Sequence, residues 1–299
     1  MGKLILISDE SGDTGPIYKK LASKNYLTTC FLIDETYLKQ LVDIAHESSK
    51  VAFGYSLYAW KDLKGVDKKN YDKLNSFINI FFNKIKEQNF KFLLSIAITD
   101  KSSFISEIKK LDHNNIVYYA NERSYELIFK RVLPFVDTLN RKLSYANINN
   151  FIIEWYIDTN DVKFINILKN STLNILTQLK IHTIQNLEPK FITKKDNRRE
   201  LVHLIRLADL LGGIVNKTYE YYQLNCLYCR ESQCSPTNSN CRNTLISAWN
   251  TIKSEGLFQN INAKPPINFS WQWRGLIISP PIERHNSNRF FGKDEFFSI

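Results

Sequence analysis

The chain begins with an apolar stretch that runs directly into acidic and turn-forming residues. Residues 4–8 (Leu-Ile-Leu-Ile-Ser) favour a buried strand, and residues 9–12 (Asp-Glu-Ser-Gly) follow without a break. A carboxylate at the end of such a strand is held rigidly and faces a cleft, as a ligand of a divalent cation requires. Asp9 is therefore a candidate metal ligand. The other interpretation is an ordinary strand-to-turn junction, because Asp, Ser and Gly are common turn residues.

Predicted strands and helices alternate along most of the sequence. Apolar and β-branched runs predict strands at residues 4–8, 25–33, 90–99, 151–157 and 181–185. Apolar residues at helical spacing predict helices at residues 35–48, 71–88, 121–139, 162–179, 199–219 and 244–253. Strands separated by helices, with two adjacent strands at the start, predict an α/β fold with a mixed β-sheet flanked by helices.

The composition predicts one large domain with an insertion. The chain has 299 residues, of which 43% are hydrophobic, enough to bury a full core. Residues 222–242 are rich in Cys, Asn and Ser, so we expect a core of residues 1–221, an insertion of residues 222–242, and a C-terminal helix and aromatic, basic tail of residues 243–299 that packs on the core. No stretch approaches the roughly 18 apolar residues of a membrane span, and the N-terminus lacks a secretory pattern. We expect a cytoplasmic protein without a membrane partner.

The net charge favours polyanionic partners. Lys and Arg number 40 against 30 Asp and Glu, which gives a formal charge of +10. An excess of this size favours nucleic acid, RNA or DNA, as a partner. The basic residues are dispersed, however, and a composition bias toward Lys, Asn and Ile is the alternative explanation of the excess. A protein partner or a second copy of the chain also stays open.

Asp158 repeats the pattern of Asp9. Residues 151–157 form an apolar and aromatic run that ends at this carboxylate. Alternation along a strand places Asp158 on the same face as Glu154 and Tyr156. Asp158 is therefore a second candidate ligand, or it merely starts a turn. Asp161 is the better candidate for the N-cap of the following helix.

Asp209 lies inside a helix that is apolar nearly all round, residues 201–215. A carboxylate that is buried there without a partner costs several kcal/mol, so it needs a cation or strong hydrogen-bond donors. Arg206 lies three residues earlier, a spacing that allows an ion pair. Gly213, one turn later, leaves room for a metal ion or a phosphate. Both a metal ligand and an Arg206 partner are open interpretations.

Two further acidic residues are weaker candidates. Glu10 points to the opposite face from Asp9 if the first strand stays regular, so the two bind one ion only if the strand twists. Glu126 lies on the long helix before the strand that ends at Asp158. A solvated helix residue is the simpler interpretation of Glu126.

The order of these motifs resembles the DUF3800 family. Its members start with a strand that runs into Asp-Glu-Ser-Gly, have a middle strand that ends in Asp, and carry a late helix of the pattern Leu-Gln-x-Ala-Asp-Leu-x-x-Gly. The matching residues here are 9–13, Asp158 and residues 205–213, within a resemblance that covers residues 4–218. Arg206 stands where the family commonly has Gln.

The resemblance implies a ribonuclease H-like fold and an acidic, metal-dependent nuclease site. Asp9, Asp158 and Asp209 would then hold one or two Mg²⁺ or Mn²⁺ ions, with Glu10 and Glu126 as further contributors. Hard oxygen ligands suit these hard cations. Such a site hydrolyses phosphodiester bonds of RNA or DNA by a two-metal mechanism, and a role in defence or as a toxin is consistent with it.

Four of the five cysteines lie close together in the sequence. Cys226, Cys229, Cys234 and Cys241 have the spacing C-x2-C-x4-C-x6-C. In a cytosolic chain this spacing predicts a structural zinc site with four thiolate ligands, and an iron–sulfur cluster is the alternative. The fifth, Cys30, is predicted to be a core residue.

Two other functions compete with the nuclease hypothesis. The first is a non-catalytic subunit that binds nucleic acid or protein and keeps the ribonuclease H-like fold. The second is a phosphatase that forms an aspartyl-phosphate. That chemistry needs a second Asp two residues after the first, and Ser11 occupies that position.

Overall fold

The computed structural model describes residues 2–11, 25–88, 92–100, 113–146, 148–159, 161–184, 187–192, 196–228, 251 and 276–279. Two short 3₁₀ turns, Glu35–Tyr37 and Trp60–Asp62, accompany the longer elements. The strands are β1 (Lys3–Ser11), β2 (Asn25–Asp34), β3 (Phe92–Asp100), β4 (Ile152–Ile157), β5 (Pro189–Phe191) and β6 (Leu276–Ser279). The helices are α1 (Leu38–Phe53), α2 (Gly65–Lys69), α3 (Tyr71–Glu87), α4 (His113–Tyr145), α5 (Val162–Gln178) and α6 (Arg199–Tyr228).

The strands form one mixed sheet in the order β5-β4-β1-β2-β3-β6. The first three strands of the chain pair antiparallel with one another. β4 lies parallel to β1, β5 lies parallel to β4, and β6 lies parallel to β3 at the other edge. The predicted mixed α/β sheet flanked by helices is confirmed.

Alternation along the strands separates the core into two layers. Ile5, Ile7 and Phe31 point to one face of the sheet, where they pack against α1, α3 and α6. Leu6 and Cys30 point to the other face, where they pack against α4 and α5. Cys30 is fully buried, which confirms its prediction as a core residue. The two layers leave the ends of the central strands as the place where side chains from several elements meet.

The first strand is longer than predicted. β1 continues through Ser11, because residues 8–11 keep their register with β2 as far as the pair Ser11 and Leu27. Asp9 and Glu10 therefore lie within the strand and not in the turn after it. Regular alternation then fixes their side chains on opposite faces.

The strand predicted at residues 181–185 is wrong. Residues 181–184 are not a strand, and the next strand along the chain is β5, which pairs with β4. Ile181 and Ile184 are buried against the α4 and α5 layer. Buried side chains of a connecting segment give the same apolar pattern as a short strand, and periodicity does not separate the two.

Helix α6 continues to Tyr228, beyond its predicted end at residue 219. Residues 222–228 are thus helical in backbone. The rest of the predicted insertion, and most of the predicted helix at residues 244–253, lie outside the described residues. Thr251 is described, and its hydroxyl donates to the side-chain oxygen of Asn79 on α3 at 2.7 Å. β6 places one segment of the C-terminal tail at the edge of the sheet, where no strand was predicted.

Among the described residues, none of the helices combines the length and the apolar character that crossing a membrane needs.

Candidate functional site

Asp9 and Asp158 lie next to each other at the ends of two central strands. Ser8 on β1 pairs with Ile157 on β4, so Asp9 and Asp158 are the next residues on neighbouring parallel strands. Such strands lie about 4.8 Å apart. Asp9 shares the sheet face of Ile7, and Tyr156, two residues before Asp158, packs in the same layer. The sequence-based prediction that Asp158 shares the face of Tyr156 agrees with this arrangement, since Asp158 lines the same cavity as Asp9.

Asp209 reaches this place because helix α6 lies very close to the sheet. A Cβ atom added to Gly212 would be 2.7 Å from the side-chain oxygen of Thr29 on β2, so only glycine allows this approach. Asp209, three residues earlier, is 92% buried, with 8% of its surface exposed. The glycine thus sets the depth at which the Asp209 carboxylate enters the site.

The three aspartates line one small cavity. The cavity has a volume of about 10 Å³, which is room for about one water molecule or ion. The polar part of the wall consists of the three carboxylates and two basic side chains. The lining residues are Asp9, Ala59, Lys61, Asp158, Ile192, Val202, Ile205, Arg206 and Asp209.

Two of the carboxylates in this cavity, those of Asp9 and Asp209, are unfavourably placed as anions. Burial is the largest cause that raises the pKa of Asp9 well above its usual value, and the negative charge of Asp209 adds to it. The charges of Glu10 and Asp158 act in the same direction. Burial also raises the pKa of Asp209, against the opposing effects of the Lys61 ammonium and of backbone N–H groups. A positive charge in the cavity would therefore stabilise both ionised forms.

Asp209 keeps one oxygen without a partner. The backbone N–H groups of Lys61 and Trp60 interact with its carboxylate. Its Oδ2 atom is buried and has no hydrogen-bond partner among the described residues. An unpartnered buried carboxylate oxygen costs on the order of 1–3 kcal/mol or more, unless a ligand satisfies it.

Lys61 is the site residue that the sequence did not predict. It lies in the 3₁₀ turn Trp60–Asp62, and its Nζ atom is 3.6 Å from Oδ2 of Asp158. Burial alone would lower the pKa of Lys61, but the carboxylates of Asp158, Asp209 and Asp9 raise it above its usual value. No local pattern in the sequence marks this lysine, because packing of distant segments brings it to the cavity.

Glu10 lies on the other side of β1, as the regular strand predicts. The hydroxyl of Tyr125 on α4 donates to its Oε1 atom at 2.9 Å. Burial raises the pKa of Glu10 to about 7, and the nearby charge of Asp158 contributes to this shift. Glu10 does not line the cavity, so it influences the aspartates through charge and not through a shared surface.

Glu126 is held elsewhere on α4. Its carboxylate accepts from Arg123 at 2.9 Å and pairs with Lys130, both on the same helix. These pairs hold its pKa below the usual value in spite of its burial. Glu126 is not part of the cavity wall, and the structure does not bring it together with the aspartates.

The Arg206 alternative for Asp209 is not what the structure shows. No ion pair joins the two side chains among the described residues, although Arg206 lines the cavity and its Nε atom is buried without a partner. The space expected beside Gly213 is also filled. A Cβ atom added to Gly213 would be 2.1 Å from a ring carbon of Trp60, so the indole and not a ligand occupies that space. The missing side chain of Gly213 lets the Trp60 indole pack against α6, and Lys61 is the next residue after Trp60.

The aspartates do not form a ready-made metal cluster. Across the described ranges, no group of three or more His, Cys, Asp or Glu side chains is arranged so that it could hold a metal ion. Of the four predicted zinc ligands, Cys226 lies on α6, where the structure describes its backbone but not its side chain. Cys229, Cys234 and Cys241 lie outside the described residues altogether. The zinc site stays a prediction.

The N-cap of helix α5 shows how the residues after Asp158 are fixed. Asp161 accepts from the backbone N–H groups of Lys163 at 3.0 Å and Phe164 at 3.1 Å, which confirms its predicted capping role. Asp161 thus caps the helix, and Asp158 lines the cavity.

Comparison with protein-family models and with curated proteins finds no match for this sequence.

Proposed function

We propose that the protein is a metal-dependent nuclease that hydrolyses phosphodiester bonds of RNA or DNA. The observation that carries this proposal is the meeting of Asp9, Asp158 and Asp209 in one cavity, with the Oδ2 atom of Asp209 buried and unpartnered within the described ranges. Asp9 lies on β1, Asp158 directly follows β4, and Asp209 lies on α6, so the three residues come from segments that are distant in sequence. Their convergence favours a shared ligand over three independent structural roles.

The sheet topology supports a ribonuclease H-like fold. Three antiparallel strands are followed by two strands that are parallel to the first and are separated from it and from each other by helices. In this arrangement the ends of β1 and β4 are neighbours in the sheet, and α6 packs against β1 and β2. The resemblance to the DUF3800 family leads to the same fold and the same three aspartates.

The donor set fits a hard divalent cation. Asp9, Asp158 and Asp209 would hold Mg²⁺ or Mn²⁺, because carboxylate oxygens are the ligands that these ions prefer. A cation bound there would lower the pKa of a coordinated water and offset negative charge on a phosphodiester. Asp209 has a free oxygen for such a ligand, and its burial holds the carboxylate in place. The excess of basic residues favours a phosphate-rich substrate.

Two observations favour the alternative, a non-catalytic subunit that binds nucleic acid or protein. The described residues contain no preformed group of three metal ligands, and Lys61 already partners Asp158. A fold of this kind that had lost catalysis could hold its carboxylates with a lysine. The two functions differ in whether a divalent cation is required.

The test uses end-labelled single- and double-stranded RNA and DNA with Mg²⁺, Mn²⁺ or EDTA. Wild-type protein is compared with Asp209→Asn and with the matched control Asp43→Asn, an exposed helix residue that pairs with Lys39. We expect cleavage by wild type and the control, lost in EDTA and reduced roughly 100-fold or more in Asp209→Asn. The Asp209→Asn protein should keep its circular dichroism spectrum.

Two results would argue against the nuclease. Cleavage that survives both EDTA and Asp209→Asn would place the activity outside this cavity. Binding of the labelled strands without cleavage under every metal condition would favour the non-catalytic subunit.

A further inference from the structure

Lys61 enters the cavity from a segment that is distant from all three aspartates in sequence. Its Nζ atom is 3.6 Å from Oδ2 of Asp158, and the carboxylates of Asp209 and Asp9 also attract it. The side chain is 53% exposed. The ammonium end of Lys61 is therefore among three carboxylates, of which those of Asp9 and Asp209 are buried, while much of the side chain borders solvent.

The backbone that carries Lys61 is fixed from two sides. The Trp60 indole fills the space beside Gly213, and the N–H groups of Trp60 and Lys61 interact with the Asp209 carboxylate. On the outer side, the Lys68 ammonium donates to the carbonyl oxygen of Lys61 at 3.3 Å and lies 5.7 Å from the centre of the Trp60 ring. These contacts hold the backbone in place, so any movement of Lys61 is a movement of its flexible side chain alone.

The cavity gathers negative charge. Three carboxylates line a space of about 10 Å³, and ionised carboxylates at such short separations repel one another. Lys61 supplies one positive charge to this group. Arg206 also lines the cavity, but no ion pair joins it to an aspartate in the described part of the chain. Lys61 is thus the side chain that neutralises the site in this structure.

We propose that Lys61 is a built-in counter-ion, which holds the place of the divalent cation in the metal-free protein and releases Asp158 when that cation binds. The inference rests on the proposed metal site and adds its regulation. Lys61 and a divalent cation compete for the same Asp158 oxygens and repel each other in a small space. Lys61 is a positioning residue: it acts through the carboxylates.

The test measures Mn²⁺ binding to the full chain by isothermal titration calorimetry, without nucleic acid. The variants are Lys61→Gln, which removes the charge, Lys61→Arg, which keeps it, and Lys64→Gln as the matched control. Lys64 lies on the same surface segment, is exposed, and faces the Tyr55 ring, 5.6 Å from its centre, outside the cavity. Thermal denaturation in EDTA and in Mn²⁺ is recorded for each.

We expect Lys61→Gln to bind Mn²⁺ about fivefold more tightly than wild type, the factor that loss of a half-exposed ion pair allows. Lys61→Arg and Lys64→Gln should bind as wild type does. In EDTA, Lys61→Gln should unfold at a lower temperature than wild type. Mn²⁺ should raise the unfolding temperature of Lys61→Gln by more than it raises that of wild type. A purely structural role for Lys61 would not be rescued by arginine and would not tighten Mn²⁺ binding.

Unchanged or weaker Mn²⁺ binding by folded Lys61→Gln overturns the proposal. A Lys61→Gln protein that folds with Mn²⁺ but not in EDTA supports the counter-ion role. If Lys61→Gln folds under neither condition, Lys61→Arg decides: a Lys61→Arg protein that binds Mn²⁺ much more tightly than wild type overturns the proposal. Mn²⁺ binding that tightens as expected, without any nuclease activity, leaves this inference standing while the proposed function fails. Absence of Mn²⁺ binding in every variant removes both.

Discussion

Replacing Gly213 with alanine tests how the site is assembled. The new Cβ would lie 2.1 Å from Cδ2 and 2.2 Å from Cγ of Trp60, against the roughly 3.5–4.0 Å of a normal carbon–carbon contact. An indole ring is rigid, so relief requires the ring or the helix to move by more than about 1 Å. Because Trp60 precedes Lys61 in the chain, this movement displaces the lysine from the aspartates.

The magnitude follows from two opposing effects. Overpacking of this kind costs about 1–3 kcal/mol, and the severe overlap at two ring atoms argues for the upper end. Replacing a glycine inside a helix by alanine raises the free energy of unfolding by about 1 kcal/mol. We therefore expect Gly213→Ala to lose about 2 kcal/mol of unfolding free energy and about 4–8 °C in unfolding temperature.

The assay is thermal and urea denaturation followed by circular dichroism, with Gly65→Ala as the matched control. Gly65 begins helix α2, and an added Cβ there meets nothing within 4 Å. The control should be as stable as wild type or slightly more stable. A Gly213→Ala protein as stable as Gly65→Ala would show that Trp60 does not pack against α6, and the account of Lys61 would lose its basis.

Two further predictions concern single residues. Burial raises the pKa of Glu10 from about 4.5 to about 7, so folding favours its protonated form. Its contribution to stability is complete below about pH 4.5 and is lost as the pH rises through about 7. In EDTA, the unfolding temperature of wild type should therefore fall between about pH 5 and pH 8, and that of Glu10→Gln should fall less. Equal slopes for the two proteins would refute this. Gly54 ends helix α1 with φ of +84° and has nothing within 4 Å of an added Cβ, so Gly54→Ala should cost about 1 kcal/mol through backbone strain alone. Thermal denaturation beside Gly65→Ala measures it, and equal stability of the two variants would contradict the assigned strain.

Local patterns were sufficient to identify the three aspartates as candidates. Asp9 and Asp158 each follow an apolar strand pattern, and Asp209 is a carboxylate inside an apolar helix, so each one is conspicuous within a short window. Alternation also assigned Glu10 to the face opposite Asp9, which the contact with Tyr125 agrees with. These inferences depend only on the period of a strand or helix, which a sequence shows directly.

Lys61 and β5 could not be found in the same way. The position of Lys61 depends on Trp60 packing beside Gly213, a contact between distant parts of the chain without a periodic signal. β5 is three residues long and is defined by its pairing with β4, whereas the more apolar Ile181 and Ile184 belong to a connecting segment. For the same reason, the Arg206 pairing suggested by helical spacing gave way to backbone contacts from the Trp60–Asp62 turn.

The most direct test of the central claim is a crystal structure of the protein with Mn²⁺, recorded with anomalous scattering. The account predicts one anomalous peak in the cavity, with oxygen atoms of Asp9, Asp158 and Asp209 at about 2.0–2.4 Å and the Lys61 ammonium moved away from Asp158. A fully soaked crystal with no peak in this cavity, and Lys61 still beside Asp158, would contradict it.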